Sequence, residues 1–187
     1  HNAKDKEECA KMIHEGRWSE FIREVPIHKG DFVSIVPGTV HAIKAGVMLL
    51  ETQQNSDITY RVYDYDRLSN GRKRELHIEK SIDVINAPAS PAQDSIHNFA
   101  NVRKNKPVLM EKSAYYKVWK LVVEDGSGLQ LSREKDFDSS YLLASVVAGS
   151  GYINGTAIKK GDHFIVTNEC DSLSFSGDME IILSAQI

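Results

Sequence analysis

The chain has 187 residues, 41% apolar and 26% charged, a folded globular composition that excludes a disordered chain. Lys+Arg 23 against Asp+Glu 26 leaves a formal net charge of −3, which gives no basic surplus for general nucleic-acid binding. No apolar run approaches the ~18 residues that span a bilayer, so neither a nucleic acid nor a membrane is an expected partner.

Residues 3–15 place Cys9, Met12 and Ile13 on one face and predict an amphipathic helix, closed by Gly16. Trp18, Phe21 and Ile22 repeat the spacing and predict a second short helix over 17–23, ended by Pro26. Short β-rich runs follow at 32–36 and 47–51, bounded by Gly30, Pro37-Gly38 and Gly46. Residues 58–64 alternate Tyr60 and Val62 with Arg61 and Tyr63, the pattern of a strand with two different faces. Ser69-Asn70-Gly71 reads as a turn, and 76–85 as a short helix. Residues 86–107, carrying Pro88, Pro91 and Pro107, read as a connector.

Strands resume at 114–123, 128–132, 141–148, 151–158, 163–167, 172–176 and 179–185. Asp125-Gly126, Gly149-Ser150-Gly151 and Asn154-Gly155 are the turn signals between them. The spacing predicts a mainly β chain of sandwich or barrel type. Lys29-Gly30-Asp31-Phe32 recurs as Lys160-Gly161-Asp162-His163-Phe164, an echo suggesting two β domains, the second a degenerate copy.

The stretch from Gly30 to His41 is the most informative. A Gly, a Pro-containing turn, a second Gly at plus eight and a His at plus eleven resemble the second conserved motif of cupins, with Pro37 one place late. The fold this implies is the cupin jelly roll, with His41 entering the next strand toward the barrel interior, where a neutral imidazole makes a good metal ligand. Taken alone, a His near a strand start is more often structural or solvated, and no partner ligands are evident upstream of His41.

The block Glu51-Thr-Gln-Gln-Asn-Ser-Asp-Ile-Thr-Tyr-Arg-Val-Tyr-Asp64, with Arg74-Glu75-Leu76-His77 beyond it, is similar to type I mannose-6-phosphate isomerases (phosphomannose isomerases) of the short bacterial form. The resemblance implies an aldose–ketose isomerase interconverting mannose 6-phosphate and fructose 6-phosphate. One zinc would be bound in a cupin barrel, His41 would be its last ligand, Arg61 the catalytic arginine and Glu51 a carboxylate of the cavity. It further implies that the other zinc ligands, a His and a Glu, lie in a segment before His1. The chain is then a C-terminal portion whose partner is the missing N-terminal part, inactive alone. The expected domains are a helical segment 1–24, an incomplete catalytic cupin portion 25–85, the connector 86–107 and a metal-free jelly roll 108–187.

Without the resemblance, Arg61 would be a surface strand arginine, Glu51 a strand end, and Tyr60, Tyr63 and Tyr65 packing aromatics. Asp57 is expected to fix the loop or position Arg61, and Arg72-Lys73-Arg74 to be a solvated turn. His163 and Cys170 lack partner ligands in sequence and read as structural. Two cysteines, Cys9 and Cys170, make no disulfide framework, and a cytoplasmic setting is expected. The competing reading is a non-catalytic cupin module that binds sugar or serves as a scaffold.

Overall fold

A computed structural model of the protein describes residues 1–56, 58–124 and 128–187, and the chain divides into two compact units. The first comprises residues 1–48 and 55–97, the second residues 49–54 and 98–187. Asp57 and the Asp125-Gly126 turn signal lie outside the described residues. The fold is mainly β and of cupin type.

The first unit is built on helices. In α1 (Lys6–His14) Asp5 caps the N-terminus, its Oδ1 accepting from the Glu8 backbone N–H at 2.8 Å. Glu8 reaches back to the backbone N–H of Lys4 at 2.8 Å, so two N-terminal donors are satisfied reciprocally. Gly16 closes the helix with φ +66, its N–H bonding the carbonyl of Ile13 while Arg17 N–H bonds that of Met12. α2 (Trp18–Phe21) and α3 (Ile78–Val84) follow, and the small core gathers Cys9, Met12, Ile13, Phe21 and Ile85, with Trp18, Val62, Ile78 and Ile82 against it. The predicted helices over 3–15, 17–23 and 76–85 thus form, each shorter at its ends.

Two of the strands predicted in this half do not form, and a third is curtailed. β1 (Asp31–Val33) pairs with β4 (Ile96–Asn98), and β2 (Leu68–Ser69) with β3 (Arg72–Lys73) around the Asn70-Gly71 turn. Residues 47–51 and 58–64 are irregular, and Ile43, Met48 and Ile58 are 58%, 90% and 67% exposed. The physical reason is that a strand is a pairing as well as a side-chain pattern. Residues of high β propensity still need a neighbouring backbone to take up their N–H and C=O groups, and none is paired with these among the described residues.

The second unit is a seven-stranded antiparallel sheet formed by β5 (Val108–Lys112), β6 (Tyr116–Val123), β7 (Leu129–Ser132), β8 (Leu142–Ile153), β9 (Thr156–Lys159), β10 (His163–Val166) and β11 (Ser172–Gln186). Its main path runs β10-β8-β11-β6-β5, with β7 paired to β11 and β9 to β8. Leu173, Phe175, Met179, Ile181 and Leu183 alternate into the core along β11 and meet Trp119, Leu121 and Val123 of β6 and Leu142, Ala144 and Val146 of β8. α4 (Arg133–Phe137) adds Phe137 to this core, edge-on to Trp119.

Gly149-Ser150-Gly151 is not a turn. It lies inside β8, whose 12 residues run through the break predicted between 148 and 151, and β11 likewise runs unbroken for 15 residues. The glycines serve close backbone approach: a Cβ on Gly151 would fall 2.1 Å from the carbonyl oxygen of Ser176. Asn154-Gly155 does turn the chain, from β8 into β9. β5, inside a stretch given no strand by its pattern, begins right after Pro107.

The Gly-Asp echo is the same turn built twice. Asp31 Oδ2 accepts from the backbone N–H of His28 at 2.6 Å, and Asp162 Oδ2 from that of Lys159 at 2.8 Å. The Asp31 N–H returns to the His28 carbonyl and the Asp162 N–H to that of Lys159, each at 3.0 Å, and Gly30 and Gly161 share φ +93.

Candidate functional site

His41 follows the Pro37-Gly38 turn, which is closed by the Thr39 N–H on the carbonyl of Val36 at 3.2 Å. Gly38 has φ +82, and a Cβ there would sit 2.5 Å from the carbonyl oxygen of Val84. The turn is clamped by Asn86, whose side-chain amide donates to the Pro37 carbonyl at 2.8 Å and whose N–H bonds that of Gly38 at 3.0 Å. No strand follows, and His41 is exposed instead of turned into a barrel. Its Nδ1 lies 3.0 Å from the Thr39 carbonyl oxygen. A carbonyl only accepts, so Nδ1 carries the proton and Nε2 of the neutral ring presents a lone pair outward.

Arg61 is the centre of a denser arrangement. Its N–H donates to Nδ1 of His77 at 3.2 Å, and its carbonyl accepts from the His77 N–H at 2.8 Å. Its Nη1 reaches the carbonyl of Glu75 at 3.3 Å, and its Nε lies 3.9 Å from Asp64 Oδ1. Asp64 is 5% exposed and also takes Arg67 Nη2 at 2.8 Å, Arg74 Nε at 2.7 Å and Arg74 Nη2. The Arg74 guanidinium, and after it that of Arg67, holds the Asp64 carboxyl down at about 2 against the cost of its burial. Arg74 is therefore an ion-pair partner and not part of a merely solvated turn; Lys73, though exposed, pairs with Asp66 at 2.6 Å, and Arg72 is exposed. Tyr63 stacks on Trp18 at 4.6 Å between ring centres, Tyr65 leans on Tyr63, and Tyr60 lies 5.9 Å from the His77 ring.

Glu51 belongs to the second unit, where it is exposed in irregular chain, while His41 and Arg61 belong to the first. In the second unit, His163 Nδ1 lies 2.8 Å from Ser145 Oγ, and Cys170 Sγ takes the Asn154 amide at 2.9 Å. Both residues line a cavity of about 620 Å³, and of its further polar residues Asn154 and Asp162 are likewise engaged by the chain itself.

The zinc that the resemblance implies needs three protein ligands and an open position for catalysis. Among the described residues no three His, Cys, Asp or Glu side chains come together in a group able to hold a metal. His41 has the exposure and tautomer of a ligand, but the described residues do not by themselves make the site. Sequence reasoning missed Asp64 and His77 as the residues that surround Arg61. The signal for Asp64 was an acid three residues after that arginine, inside a Tyr-rich stretch read as packing.

Comparison with known proteins points one way. Residues 110–186 match the family described as mannose-6-phosphate isomerase, cupin domain. The chain is 42% identical to the mannose-6-phosphate isomerase of Streptococcus mutans, over 98% of this chain and 57% of that protein. It is 40% identical to mannose-6-phosphate isomerase ManA of Bacillus subtilis, over 98% of this chain and 58% of that protein. The crystal structure of the mannose 6-phosphate isomerase from Bacillus subtilis superposes with a TM-score of 0.78 at 32% identity, covering 98% of this chain and 58% of that one. The chain thus spans less than two thirds of the length of these relatives. Among the described residues no helix is long and apolar enough to cross a membrane.

Proposed function

We propose that this chain is part of a mannose-6-phosphate isomerase and supplies the arginine that stabilises the reacting sugar. The observation that carries this reading is likeness over 98% of the chain to proteins of that name, joined to an Arg61 whose main chain is bonded at both N–H and C=O to His77.

Aldose–ketose isomerisation moves a proton between C1 and C2 of the open-chain sugar, and negative charge builds on the sugar oxygens through an enediol-like intermediate. Arg61 stays cationic throughout and presents a planar fork that can take an oxyanion or a phosphate through two N–H groups. Glu51 is the proposed carrier of the proton between the two carbons. His41 offers Nε2 as one ligand of the implied zinc, with the remaining ligands supplied from outside the described residues. The partner in this reading is the portion of the relatives that the chain does not match. Exposed Ile43, Met48 and Ile58, in chain of strand-like composition, are the surface it would cover. A cytoplasmic setting and the division into 1–24, 25–85, 86–107 and 108–187 belong to the same reading.

The test is a coupled assay for fructose 6-phosphate from mannose 6-phosphate with zinc present. The purified chain is assayed alone and after co-expression with the unmatched portion of a relative. Turnover in the co-expressed form only, lost on Arg61→Lys, is expected. Turnover by the chain alone would overturn the incomplete site, and none in either form would overturn the isomerase reading.

A further inference from the structure

Asp64 is one buried carboxylate facing three guanidiniums, and the three are not held alike. Arg74 meets it through both Nε and Nη2, and Arg67 through Nη2 at 2.8 Å. The Asp64 carbonyl also accepts from the Arg67 N–H at 3.0 Å and from Arg67 Nε at 3.3 Å. Arg61 Nε stands at 3.9 Å from Oδ1, beyond hydrogen-bond reach yet close enough to feel the charge. From the geometry we infer that Asp64 is the positioning residue of Arg61: it screens the repulsion of Arg67 and Arg74 and orients the Arg61 guanidinium without occupying its fork.

The chemistry favours this division. A carboxylate has room for about four donors, and Arg67 and Arg74 fill three of those places on Asp64. With three positive groups around one negative one, the cluster keeps a surplus of two positive charges. Arg61, only weakly engaged by the Glu75 carbonyl at 3.3 Å, is the member able to turn that surplus toward an anion. Were Asp64 neutral, the three guanidiniums would repel one another at short range and Arg61 would lose its fixed direction.

The inference rests on Arg61 being the working cation of the proposed isomerase, so it is tested first by a readout independent of turnover. The probe is the Nε–Hε resonance of Arg61 in the full chain, assigned by its loss in Arg61→Lys. Asp64→Asn should speed exchange of this Hε with water by about tenfold, the scale of losing a partly screened charge–charge attraction at 3.9 Å. Asp64→Glu should restore part of the protection. In the double variant Arg67→Met/Arg74→Met the carboxylate is released from its competitors, and Arg61 Hε should exchange more slowly than in the parent. That variant decides the matter even if Asp64→Asn fails to fold. Unchanged Arg61 exchange in either Asp64→Asn or the double variant would reduce Asp64 to a structural ion pair of Arg67 and Arg74. Where co-expression gives turnover, Asp64→Asn should lower kcat far more than it changes KM. A failed assay with altered exchange would count against the isomerase reading and leave the positioning role standing.

Discussion

Gly151 of β8 and Gly177 of β11 are partners in the same antiparallel register, with Cβ-free backbones pressed together where each strand has nothing else to offer. A Cβ on Gly177 would stand 2.6 Å from the Gly151 Cα, and one on Gly151 would stand 2.1 Å from the Ser176 carbonyl oxygen. Both obstacles are backbone, which cannot swing aside as a side chain does. Gly151→Ala should therefore destabilise the second unit by about 1–3 kcal/mol, the usual range for overpacking. The check is a lower urea midpoint with an unchanged slope.

Asp64 also makes the first unit sensitive to acid. Its carboxyl is held at about 2 when folded, below the ordinary aspartate value, mainly by the Arg74 guanidinium. A carboxylate with a lowered value stabilises the fold above its unfolded value, and that contribution disappears as pH falls from about 4 toward 2. Urea midpoints of the parent should decline across that window. Asp138 and Asp171, also lowered, make the second unit sensitive to acid in the same sense. The Asp64→Asn variant should decline less steeply, and parallel curves would show that Asp64 adds nothing.

The two cysteines should separate by reactivity. Cys9 is fully buried in the first core, and burial pushes its thiol up. Cys170 is only partly buried. Iodoacetamide at neutral pH should label Cys170 in the native protein and reach Cys9 only after denaturation, as mass spectrometry of the peptides would record. Because the folded state disfavours the Cys9 thiolate, its contribution to stability should fade as pH rises past the ordinary thiol value.

Phe137 fills the second core against Trp119, with ring centres 5.5 Å apart and planes 87° to each other. Phe137→Ala removes a fully buried ring and should cost about 3–5 kcal/mol. Trp119 is one of two tryptophans, and Trp18 lies in the other unit. In a Trp18→Phe background, a red-shifted emission maximum would follow the loosening at Trp119 directly.

The sequence was most legible where local rules suffice. Cys9, Met12 and Ile13 lie on the buried face their spacing predicts, and Gly16 ends the helix in the left-handed conformation. The Gly-Asp echo folded into matching turns because an aspartate three residues on needs only its own neighbours to close the loop. Prediction failed where the answer depended on distant chain. Glycines at 149 and 151 mark a close approach of two paired strands and not a turn, a distinction held by residues 176–179. Residues 47–51 and 58–64 have the composition of strands but lack the pairing. For the candidate site, the motif picked out Arg61 and the acid three residues on was the one local signal, whereas the approach of Arg74 and His77, ten and sixteen residues away from Asp64 and Arg61, depends on the path of the loop.

β11 joins the second unit in a way that bears on how the protein is made. Among the described strands it is the one that joins β6, β7 and β8, and its Ser172–Gln186 follow all of them in the chain. A ribosome therefore delivers every flanking strand before the one that binds them together. During that interval β6 and β8 have exposed Trp119, Leu121, Leu142 and Val146, and their inner edges are unpaired. Sequence-distant pairing of this kind is slow to form and vulnerable to association between nascent chains. Yield in a cell should thus depend on chaperone supply and growth temperature more than the finished core would suggest.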